Sequence, residues 1–101
     1  MKMTDADIRI KLQFALLGEV YNEIVAIAYK YEKTTKLFLL RYYMEREPND
    51  EDRENLSCVM SEFIANYDNI VFNEIKEECI KIDLAQSKVD PLDGLVYLKK
   101  Q

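Results

Sequence analysis

Carboxylates and thiols are the reactive side chains that this 101-residue chain offers, because it contains no histidine. Without imidazole it lacks the commonest general base, a common metal ligand and the side chain that titrates near neutral pH. Serine and cysteine nucleophiles that depend on a histidine partner are therefore excluded. Cys58 and Cys79 stand far apart with no second pair, which is not the spacing of a zinc site, so no metal or cofactor is expected. Gly18 and Gly94 are the only glycines, and neither opens a phosphate-cradling loop or a dinucleotide fingerprint. A carboxylate pair remains, drawn from Glu74, Glu77 and Glu78 or from the acids between Glu45 and Glu54. Glycosidase-type work would need two carboxyls across a substrate-sized cleft with one pKa raised by burial. These acids lie in hydrophilic runs, so no enzymatic activity is expected.

The same acids read better as a binding surface. The window EREPNDEDRE holds six carboxylates against two arginines. A helix N-terminus favours Asp50, Glu51 and Asp52 without any partner, but it does not require Glu45 and Glu47. With Tyr43 beside them as an aromatic anchor, Glu45, Glu47, Asp50, Glu51, Asp52 and Glu54 form the first candidate interface. Glu74, Glu77 and Glu78 form a second. Nineteen acids against fourteen bases give a net charge of -5. That balance argues against nucleic acid and against an anionic membrane surface, and it makes a basic protein the natural partner.

These residues must be positioned by a fold. The stretch Ile24–Arg46 shows two runs rich in Ile, Val, Leu, Phe and Tyr around a short polar segment, the pattern of a β-hairpin. Val25, Ile27, Tyr29 and Tyr31 share one face of the first run, and Ile24, Ala26 and Ala28 the other. In the second run Leu37, Leu39 and Tyr43 alternate with Phe38, Leu40, Tyr42 and Met44. Strands apolar on both faces belong in the middle of a covered sheet. The turn within Glu32–Lys36 has no glycine, which favours a loop of four or five residues.

Before the hairpin, Thr4 can cap a helix in which Ile8, Leu12, Ala15 and Leu16 recur at helical spacing and Gly18 supplies a left-handed stop. Ile8, Ile10, Leu12 and Phe14 also alternate with Arg9, Lys11 and Gln13 as a strand would, but the cap, the apolar tail and the glycine favour the helix. After it, Asn49 caps a second helix whose stripe is Leu56, Val59, Met60, Phe63, Ile64 and Tyr67. Residues 70–83 carry both periods, and their β-branched ends favour a strand. Its central charges suit a sheet edge. Asp90, Pro91, Leu92, Asp93 and Gly94 signal a turn with positive φ at the glycine, and LVYLKK closes the chain as a short strand. The expected fold is α+β, one domain over residues 1–101, an antiparallel sheet of about four strands with two helices packed on it in the order α-β-β-α-β-β. No secretory signal or membrane-spanning run is apparent, so a cytoplasmic protein with reduced, buried thiols is expected.

The segments IRIKLQFALLGEVY, KLFLLRYYMEREP, VMSEFIANY, EECI and DPLDGLVY together resemble small immunity proteins encoded beside polymorphic bacterial toxins, notably those of contact-dependent growth inhibition systems. The resemblance implies one-to-one binding in the cytosol to a cognate toxin, the C-terminal domain of a large surface-delivered protein. It further implies that the inhibitor blocks the active site of a basic nuclease. A homo-oligomeric structural or adaptor module is the alternative.

Overall fold

The computed structural model describes residues 4–67 and 72–100. Helix α1 spans Asp5–Leu16, strands β1 and β2 span Ile24–Glu32 and Leu37–Met44, helix α2 spans Asp50–Ala65, and strands β3 and β4 span Glu74–Lys81 and Gly94–Leu98. The α-β-β-α-β-β order therefore holds. Ile70 and Val71, expected to open the third strand, lie outside the described residues.

Local chemistry sets the helix ends. The Thr4 hydroxyl accepts the Asp7 N–H at 3.1 Å. Ile8, Leu12, Ala15 and Leu16 are the buried residues of α1, and Gly18 takes φ 77° just past its end. In α2 the Asn49 side chain accepts the Asp52 N–H while the Asp52 carboxylate accepts the Asn49 N–H, a reciprocal capping box. Leu56, Val59, Met60 and Phe63 are buried, with Ile64 and Tyr67 packed at the margin.

The sheet has the order β3-β2-β1-β4, so the hairpin is central and β3 lies at an edge, as its charges implied. Four residues, Lys33–Lys36, turn the hairpin. The sheet is mixed, however, and not antiparallel throughout. β1 runs antiparallel to β2 and β4, but β2 and β3 are parallel from Leu37↔Glu74 to Met44↔Lys81. The reason is the length of α2. Sixteen helical residues span roughly 24 Å, about the roughly 26 Å of the eight-residue β2. The helix thus returns the chain to the start of β2, and the next strand runs the same way.

A bulge also changes the faces of β1. Ile24 pairs with Met44 and Ala26 with Tyr43, leaving Val25 as an extra residue. Ile24 therefore joins Ile27 and Tyr29 on the helix side, while Val25 joins Ala26 and Ala28 opposite. The simple alternation expected for these two residues is reversed.

Both helices cover one face of the sheet. Beneath them Phe38 stacks on Phe63 with ring centroids 4.7 Å apart, and Phe72 and Tyr67 close the aromatic cluster. Tyr29 donates to Asp5 at 2.9 Å and Tyr42 to Asn55 at 2.7 Å, so these phenols tie strands to helices. Burial, followed by its Asp5 partner, pushes the Tyr29 hydroxyl up to about 12. The opposite face is covered by Ile82, Val89 and Leu92. In that covering segment the positive φ falls at Leu92, not Gly94. The Asp90 carboxylate accepts the Leu92 N–H and holds the turn. Glycine is needed at 94 for another reason, since a Cβ there would meet Tyr29 Cε1 at 3.0 Å and Arg9 Nη1 at 3.1 Å.

Candidate partner-binding surface

The acidic window begins where β2 ends. The Glu45 N–H donates to Glu23 O at 3.0 Å, extending the hairpin ladder by one residue, and Pro48 and Asn49 then turn the chain into α2. Along this path Glu45, Glu47, Asp50, Glu51 and Glu54 are exposed. Glu45 lies 3.5 Å from Lys99, and Asp50 lies 3.4 Å from Arg53 in an exposed pair. Glu47, Glu51 and Glu54 form no ion pair among the described residues.

Two members of the predicted set lie inside the protein. Asp52 is 1% exposed. Its Oδ2 accepts from Arg46 Nη1 at 2.6 Å and from the Asn49 N–H at 2.8 Å, while its Oδ1 accepts from the Tyr21 hydroxyl at 2.5 Å and from Arg46 Nη2 at 3.1 Å. The Arg46 guanidinium, aided by Tyr21 and the Asn49 N–H, lowers the carboxyl to about 2. That direction is opposite to what a general acid requires. Asp52 instead locks the start of α2 to the β2 exit and to the loop after α1. The spacing Asn49-x-x-Asp52 was the signal for this capping role.

Tyr43 is 2% exposed. Its hydroxyl donates to Asp90 O at 2.8 Å and accepts from Arg41 Nη1 at 3.0 Å. It anchors the covering segment to the sheet and presents no exposed ring. Its alternation with Phe38, Leu40 and Tyr42 placed it on the face away from the helices, and its partner Asp90 comes 47 residues later in the chain.

The second acidic group divides between two faces. Opposite β2, Ile75, Glu77 and Cys79 pair with Phe38, Leu40 and Tyr42 on the helix side, whereas Glu74 and Glu78 pair with Leu37 and Arg41. Glu77 accepts from the Ser57 hydroxyl at 2.6 Å, and Glu78 accepts from Arg41 Nε at 2.6 Å. Glu74 remains exposed at the start of the strand. Burial raises the Cys79 thiol to about 11, and both cysteines are free, but Cys58 is exposed on α2 and not buried as expected, because it lies off the apolar stripe of the helix.

No group of three or more Cys, Asp and Glu side chains suited to hold a metal occurs among the described residues. No described helix is long and apolar enough to cross a membrane. An open depression of about 460 Å³ is lined by Val25, Glu45, Lys81, Asp83 and Lys99.

Residues 5–101 match the family model described as MafI2 immunity protein. This chain belongs to the MafI2 immunity protein family. A search of curated proteins finds no match. Immunity proteins of this kind are generally non-enzymatic and have a cognate toxin as partner. The resemblance noted in the sequence thus resolves to MafI2, an immunity family of a polymorphic toxin system, and not specifically to contact-dependent growth inhibition.

A feature that charge and motif reading passed over lies on the outer face of α1. Ile10, Phe14 and Leu17 are 54%, 66% and 72% exposed. They follow one another at steps of four and three, so they form one stripe opposite the buried face of the helix. The strict alternation of Ile8, Ile10, Leu12 and Phe14 was its only trace in the sequence.

Proposed function

We propose that this MafI2 protein neutralises a basic nuclease toxin in the cytosol by laying its exposed acids over the surface that holds the nucleic acid substrate. The observation that carries this reading is the exposure of Glu45, Glu47, Asp50, Glu51 and Glu54 within ten residues at the β2 exit and the start of α2. The net charge of -5 points the same way. A field of this sign speeds encounter with a cationic partner and falls with salt. Glu74 and Glu77 add negative charge along the β3 edge, whereas the charge of Glu78 is met by Arg41.

The test uses the toxin domain encoded beside this chain, in a one-to-one complex. Replacing Glu45, Glu47 and Glu51 by lysine should slow association at least 10-fold at low salt and flatten its salt dependence. An unchanged rate with an unchanged salt slope removes these acids from the interface. Failure of the toxin domain to cleave RNA or DNA removes the nuclease assignment alone.

Self-association through β3 is the competing reading, and the strand's sequence works against it. A twofold antiparallel pairing centred on Glu77 or Glu78 would set two identical carboxylates roughly 5 Å apart. Sedimentation as a monomer at micromolar concentration is expected.

A further inference from the structure

We infer that the outer stripe of α1, Ile10, Phe14 and Leu17, is the apolar centre of the toxin interface, and that the toxin meets it with an apolar recess rimmed by basic side chains. The inference rests on the immunity reading and adds a surface to it. Three side chains at this exposure present roughly 400 Å² together, taking a fully exposed Ile, Leu or Phe at roughly 200 Å². A patch of that size on a small monomer is within the range that marks interaction sites. The core of this protein does not need these residues, because α1 already buries Ile8, Leu12, Ala15 and Leu16.

The setting of the stripe selects its occupant. Asn55 of α2 donates to Glu19, just past the end of α1, while Tyr67 beyond the end of α2 meets Asp7 at the start of α1. The two helices therefore run antiparallel, and Leu17 lies at the end of α1 where α2 begins, towards the acidic window. The exposed acids Glu51 and Glu62 stand on the flank of α2 that includes Asn55 and faces α1. Of the basic side chains on α1, Lys11 lies 3.5 Å from Asp7 and 3.8 Å from the Tyr67 ring centroid, and Arg9 points to the flank away from α2, where it donates to Leu95 O of β4 at 2.8 Å. Among the described residues, the unpaired charge on the α2 side of the stripe is thus negative.

A second copy of this chain fits that border poorly. A twofold interface repeats the same patch on both sides, so Glu51 and Glu62 would face their own kind. The stripe and its copy would bury roughly 800 Å² together, short of the roughly 1,200 Å² at which specific interfaces begin. A basic partner meets the acids with opposite charge and supplies the remaining area from its own surface. The acids then govern the rate of encounter, and the stripe governs how long the complex lasts.

The experiment measures association and dissociation of the adjoining toxin domain with the wild-type chain, with Ile10→Ser/Phe14→Ser/Leu17→Ser and with Phe14→Ala alone. Because the three side chains are exposed, both variants should keep the wild-type circular dichroism spectrum. Phe14→Ala keeps the test open if the triple variant does not fold. The triple variant should dissociate at least 100-fold faster and Phe14→Ala about 30-fold faster, with association changed less than threefold and with no dependence of the effect on salt. Dissociation within threefold of wild type for a folded variant overturns the assignment while leaving the immunity reading intact. So does a wild-type dimer that the triple variant abolishes, because the stripe would then be filled by a second copy. Absence of any binding by the wild-type chain overturns both.

Discussion

Replacing Asp52 by asparagine keeps the shape of the most connected side chain at the β2–α2 junction and removes its charge. Four donors converge on the two carboxylate oxygens: the Tyr21 hydroxyl, two nitrogens of Arg46 and the Asn49 N–H. An amide offers one oxygen, and its NH₂ group must point at donors. The carboxyl is lowered from 3.8 to about 2, which corresponds to about 2.5 kcal/mol at 1.36 kcal/mol per unit. Loss of two charge-assisted hydrogen bonds, at about 1.5–3 kcal/mol each, sets a larger bound. Part of that is recovered because the Arg46 side chain, 39% exposed, can return to water. The expected loss is therefore about 2–3 kcal/mol at neutral pH, read as the difference in urea unfolding between the two proteins. A depressed carboxyl contributes fully above its unfolded value near 4 and loses that contribution as pH falls towards 2. The difference should hold from pH 7 to pH 5 and shrink to about half near pH 3. A loss under about 0.5 kcal/mol at pH 7, or one that stays constant down to pH 3, would refute the assignment of Asp52 as the lock of this junction.

Two further outcomes follow from packing and burial. Gly94→Ala should cost about 1–2 kcal/mol in urea unfolding, because its methyl meets the buried Tyr29 ring at 3.0 Å and small-to-large changes in packed sites cost of this order; an unchanged midpoint would show that the ring yields freely. At pH 8 the exposed Cys58 should be modified by a thiol reagent at least about 10-fold faster than Cys79, since with a pKa of about 11 only about a thousandth of Cys79 is thiolate, and equal rates measured by mass spectrometry would contradict the burial of Cys79.

The elements were legible because their signals are local. Thr4 and Asn49 with the acids after them start helices by hydrogen bonds that span three residues, and Gly18 ends one by its own φ. Doubly apolar runs around a glycine-free loop can be satisfied only in the centre of a sheet, which is where β1 and β2 lie. The chemistry absent from the residue types, above all imidazole, needed no structure to be excluded. The parallel pairing of β3 was not legible, because strand direction depends on how far α2 carries the chain back and not on any residue of β3.

The candidate surface was legible as a composition and not as a geometry. Sequence alone determined that the region from Glu45 to Glu54 is rich in acid. Only tertiary structure decided which of those acids face water. Asp52 is drawn inside by Arg46 and Tyr21, Tyr43 is covered by residues near Asp90, and Glu77 and Glu78 are sent to opposite faces by the pleat. The same holds for α1, where Ile10, Phe14 and Leu17 have the composition of core residues yet face outward. Charge and hydrophobicity belong to the residue, whereas exposure is a relation between segments far apart in the chain.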